Sequence, residues 1–151
     1  MNKIFEDTFI EVQIDMIQIC LEYVNNNADL IYIYASYEQN TISCGYFYKI
    51  NGKLLERHKL NDNDTTIYDT SIQGQTACMK KLNEDMKKII SICKEYNRDI
   101  RTEIKLIYDV KNNKVSSNYK YELKYSNDTE KTADDMAEEW FDQERKLYYK
   151  N

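Results

Sequence analysis

From residue 4 to residue 24 the polar positions Asp7, Glu11, Asp15, Gln18 and Glu22 step by four and three residues. Phe5, Phe9, Val12, Met16, Ile17, Cys20, Leu21 and Val24 fill the remaining surface. This period predicts a helix. Its apolar face is broad, which predicts a sheet beneath it and a second helix at its flank. Asn25–Asn27 ends it, and the pattern then becomes that of strands. Leu30–Tyr37 and Thr41–Ile50 are rich in β-branched and aromatic residues and are separated by Glu38-Gln39-Asn40. Asn51-Gly52 predicts a hairpin turn into a third strand, Lys53–Leu60, polar enough for a sheet edge. Asn61–Asp64 reads as a loop.

A second helix is predicted over about 71–96, with Thr70 and Gln73 as a capping box. Ile72, Met79, Leu82, Met86, Ile89, Ile90 and Cys93 form its apolar stripe, and Lys80, Lys81, Lys87, Lys88 and Lys94 its polar one. Strands four (102–110) and five (115–125) flank an Asn112-Asn113 turn. Ile104, Leu106, Tyr108 and Val110 share one face, as do Val115, Tyr119, Tyr121 and Leu123. Glu103, Lys105, Lys120, Glu122 and Lys124 lie on the other faces, which are therefore expected to see water, Ile107 being the exception. A third helix covers the acidic segment from Thr132, capped by Thr132 with Asp135. The order α-β-β-β-α-β-β-α predicts one α+β two-layer domain over residues 1–151. It has a mainly antiparallel five-stranded sheet with the helices packed on one face.

Composition sharpens this picture in two places. The 151-residue chain has no Pro and only three Gly, so its turns must rely on Asn and Asp. Fourteen Tyr suggest strands with a half-exposed face or a binding surface. A net charge of −5 argues against nucleic acid or an anionic membrane as the main partner and permits a basic protein. With neither a signal-type opening nor a run of ~20 apolar residues, a cytoplasmic location is expected.

Catalytic patterns are absent. Cys20, Cys44, Cys78 and Cys93 are scattered without metal-ligand spacing and read as small buried hydrophobes. His58, the only histidine, stands between Arg57 and Lys59 and reads as an exposed strand residue. Asn61–Thr65 lacks the central Gly and the later Glu of a calcium loop. No phosphate-binding Gly loop or nucleophile motif occurs. The expectation is a protein without cofactor, metal or catalytic residues.

What remains is charge. Between Asp128 and Glu144 eight acidic residues face a single base, Lys131, although bases at i+4 would stabilise a helix. Capping, the helix dipole and a buried stripe of Met136, Trp140 and Phe141 explain most of that segment. The missing bases are left over, and the first helix repeats the imbalance. The expected partner-binding residues are Glu11, Asp15, Glu22, Asp134, Asp135, Glu138, Glu139 and Asp142, with nearby Tyr as contact area.

Ile31–Ala35, Gly45–Tyr48, Thr102–Val110, Asn118–Leu123 and Glu138–Phe141 together resemble the YezG-like antitoxins, small cytosolic immunity proteins of low-GC Gram-positive bacteria. The resemblance implies a non-catalytic protein that binds and neutralises a cognate toxin, commonly a nuclease. A nuclease site is cationic because it holds phosphate, so an acidic inhibitor surface would complement it. Two other readings predict different structures. A small cytosolic enzyme would place His58 or a cysteine in a concave pocket beside a buried carboxylate. A homo-oligomeric adaptor would leave a Tyr-bearing sheet face open as its interface.

Overall fold

A computed structural model of the protein describes residues 4–63, 66–121 and 133–148. Helix α1 (Phe5–Tyr23) is followed by strands β1 (Leu30–Glu38), β2 (Thr41–Ile50) and β3 (Lys53–Glu56). A short 3-10 helix (Arg57–Asp62), helix α2 (Ile72–Glu95), strands β4 (Glu103–Asp109) and β5 (Lys114–Lys120), and helix α3 (Ala133–Tyr148) complete the order. The sheet is five-stranded and antiparallel throughout, in the order β3-β2-β1-β4-β5. Two hairpins, β1–β2 and β4–β5, thus meet across the β1–β4 pair, with Ile33 opposite Leu106 and Ala35 opposite Ile104. The α+β class, the element order and the antiparallel sheet follow the sequence pattern.

The layering does not. Strand residues alternate between faces, and in this sheet both faces are apolar. Ile31, Ile33 and Ala35 of β1 join Cys44, Tyr46 and Tyr48 of β2 in the main core, under Phe9, Val12 and Met16 of α1 and Leu82, Met86 and Ile89 of α2. Tyr32 and Tyr34 point the other way and form a second core with Phe47, Leu54, Trp140 and Phe141. Helix α3 therefore covers the opposite face, and the domain has three layers rather than two with all helices on one side. Its path crosses β2 at Gly45, where a Cβ would sit 3.8 Å from that of Ala137. The aromatic half of that face is what recruits it. Tyr32 and Phe47 stack at 4.4 Å, Trp140 stands edge-on to Phe47 at 5.2 Å, and Phe141 stands edge-on to Phe47 at 5.1 Å. The alternating Lys and Glu of the closing hairpin suggested a wet face, yet β1 and β2 carry large rings there.

Three local expectations also shift. Strand three ends at Glu56, because the 3-10 turn carries Leu60 into the main core, where it is fully buried. The cap of α2 is Ser71, whose hydroxyl accepts from the Gly74 N–H at 3.0 Å, rather than Thr70. Ile72 is exposed and not part of the α2 stripe. The proposed Thr132 cap and the end of strand five at 122–125 lie outside the described residues.

Candidate functional site

Helix α1 contains no basic residue, and Asp7, Glu11, Asp15, Gln18 and Glu22 all project to solvent. Alongside that stripe the helix exposes Ile10 and Ile14, each about half accessible (50% and 55%). The broad apolar face of α1 anticipated one flanking helix, and α2 covers that flank. On the other flank, Ile10, Ile14 and Ile17 face Val115 and Tyr119 of β5 across a groove of about 340 Å³. Val115 is 45% exposed. Tyr119 is held in place: its hydroxyl accepts from Gln13 Nε2 at 2.6 Å, and the Arg101 guanidinium lies 4.7 Å from its ring and 4.3 Å from that of Phe9. Tyr119 is thus fixed by Gln13 and Arg101, and on α1 the exposed Asp7 and Glu11 stand beside the groove's Ile10 and Ile14.

The acidic residues of α3 are arranged differently. The side chain of Asp134 lies outside the described residues. Asp135 and Glu139 are half-buried and engaged, Asp142 pairs with Arg145 at 3.3 Å, and Glu138 is exposed. Glu144 accepts from Trp140 Nε1 at 3.1 Å. Trp140 and Phe141 are buried against the sheet (4% and 8% exposed), so they are core, not contact area. Most consequential is the placement of the two helices. The sheet stands between α1 and α3, so the eight expected residues form two separate patches and not one acidic face.

One member of the α1 set has a partner that the sequence analysis missed. Asp85 of α2 is 2% exposed and faces Asp15 across the helix pair. Burial, reinforced by a hydrogen bond with Asp15 and by that carboxylate's charge, pushes the Asp85 carboxyl up to about 7. Lys88 Nζ, at 3.5 Å from Oδ1, opposes the shift. The signal was present: Asp85 falls three residues after Leu82 and four before Ile89, on the buried stripe.

Elsewhere the chemistry is sparse. His58 lines a cavity of about 190 Å³ with Arg57, Glu138 and Tyr34, but both His58 and Glu138 are exposed. The four cysteines are free and buried. Burial pushes the Cys44 thiol up to about 12, whereas the hydrogen bond with Cys20 lowers that of Cys78. Among the described residues no three metal-binding side chains converge, and no helix is long and apolar enough to cross a membrane. The Tyr-bearing sheet face that an adaptor would present lies beneath α3, with Tyr32 and Tyr34 buried.

In comparisons with known proteins, no family model matches the chain, and no curated protein does.

Proposed function

We propose that the protein is an immunity-type inhibitor, which binds a basic toxin domain and neutralises it by direct association. The observation that carries this reading is the exposed stripe of α1, acidic at every position but Gln18, without a base on the helix, and bordered by solvent-exposed isoleucines. Carboxylates raise the encounter rate and orient a cationic partner; the apolar border supplies the desolvated contact area that holds it. The α3 patch serves less well, because Arg145 and Lys146 answer its charge and its aromatics are spent on the sheet. The resemblance to YezG-like antitoxins points in the same direction and suggests a nuclease as the target.

Two charge-reversal sets test the reading. Replacing Glu11, Asp15 and Glu22 with Lys is expected to weaken binding of the toxin encoded by the neighbouring gene at least tenfold and to abolish neutralisation. Replacing Asp135, Glu138, Glu139 and Asp142 with Lys should leave the affinity within about threefold. Affinity measured by titration calorimetry decides between the patches, and no loss with either set would end the proposal.

A further inference from the structure

The two edges of the sheet are built unlike each other. At one edge β3 is only four residues long and gives way to the 3-10 helix. There Arg57 Nη1 reaches within 3.6 Å of where a Gly45 Cβ would lie, covering the outer side of β2. Such shortening and covering are how sheets prevent unwanted strand pairing. At the other edge β5 runs seven residues in full register with β4, and among the described residues it has no other strand neighbour. It carries no Pro, and no charge between Lys114 and Lys120. Lys114 and Lys120 guard its two ends, and Val115–Asn118 between them are exposed.

We propose that β5 accepts an extended, lysine- or arginine-bearing segment of a protein partner as a sixth strand, with alternate side chains of that segment seated in the groove beneath α1. A strand added beside β5 would lie about 4.8 Å beyond it. Its alternate residues on the α1 side would follow the row of Val115, Ser117 and Tyr119 and meet Ile10 and Ile14. Backbone hydrogen bonds would supply affinity and the groove would select apolar or β-branched residues at every second position. Basic side chains in that row would run their stems along the isoleucines and end at the acidic stripe, near Asp7 and Glu11. A helical occupant would fill the groove but leave the backbone groups on the outer edge of β5 unpaired. This inference rests on the reading of the protein as a binder of a basic partner and adds the place and the mode.

The test uses isotope-labelled full-length protein and synthetic ten-residue peptides of alternating valine and threonine, flanked by two lysines at each end. Binding is followed by amide chemical shifts. Shifts are expected at Val115–Tyr119 and at Ile10–Ile14, and not along β3. Three controls read the components separately. A peptide with glutamate flanks should bind at least tenfold more weakly. Methylating alternate backbone nitrogens, which removes the pairing donors without changing charge, should abolish binding. Ile14→Asp, at an exposed position that leaves the fold intact, should weaken binding tenfold although it adds attraction for lysine. Equal binding by the methylated peptide would overturn strand addition. Shifts centred away from β5, or no binding at all, would do the same. These peptide results are independent of toxin neutralisation, so a failed edge-strand mode leaves the inhibitor proposal to its own charge-reversal test.

Discussion

Asparagine does in this chain what glycine does in most. Asn25, Asn26, Asn40, Asn51, Asn97 and Asn113 all sit at φ between 51° and 63°, and among the described residues only Gln39 (φ 49°) and Gly52 join them in the left-handed region. Asn is the L-residue that tolerates this geometry best, through its short amide. Gln39 has no such advantage. Gln39→Asn is therefore expected to raise stability by about 0.5 kcal/mol and Gln39→Val to lower it by about 1 kcal/mol, which urea titrations can resolve. A second residue governs pH response. Asp85, raised from 3.8 to about 7, binds its proton more tightly folded than unfolded. Its contribution is full below about pH 4 and is lost as pH rises through 7, so this group makes stability fall with rising pH. Asp85→Asn keeps the neutral form at every pH. Relative to the parent, the variant should gain stability between pH 5 and pH 8, by up to about 1.4 kcal/mol per pH unit. Paired urea titrations at the two pH values check it, and a constant difference would show that burial and Asp15 do not hold the proton there. The turns were legible because a chain without Pro leaves few alternatives. Asp85 was not, because the lysines around it drew the eye to the solvent side of α2.

At the scale of elements, α1 and α2 were readable from their period, since a 3.6-residue repeat leaves little doubt about which face is buried. Helix α3 was readable as a helix but not as to its place. Tyr on a strand fits a half-wet surface as well as a core, so Tyr32 and Tyr34 did not announce a second buried face. The ring contacts make that docking measurable. Trp140 is the only tryptophan and is 4% exposed, so its emission should be blue-shifted and weakly quenched by acrylamide. Phe47→Ala removes the ring between Trp140 and Phe141 and is expected to cost about 3 kcal/mol. Quenching should then approach that of free tryptophan. If it stays low, Tyr32 and Tyr34 alone retain the helix.

For the whole molecule, charge by element was legible and charge by surface was not, because only the topology tells which helices share a side. The acidic α1 and the lysine-bearing α2 lie side by side on one face, while α3 lies on the other. Association through α1 should therefore depend steeply on salt, its rate constant falling about tenfold or more between 20 mM and 500 mM NaCl. Stopped-flow measurements would show this, and a flat profile would argue for contacts outside the acidic stripe. The three-layer arrangement also has a consequence for synthesis. The ribosome delivers β1–β3, which carry that aromatic side, long before the helix that caps it, since β3 ends at Glu56 and α3 begins only at Ala133. At about 5–20 residues per second, the nascent domain spends several seconds with Tyr32, Phe47 and Leu54 bare. Chains stopped before residue 133 should accordingly associate with one another or recruit chaperones more than the 151-residue chain does.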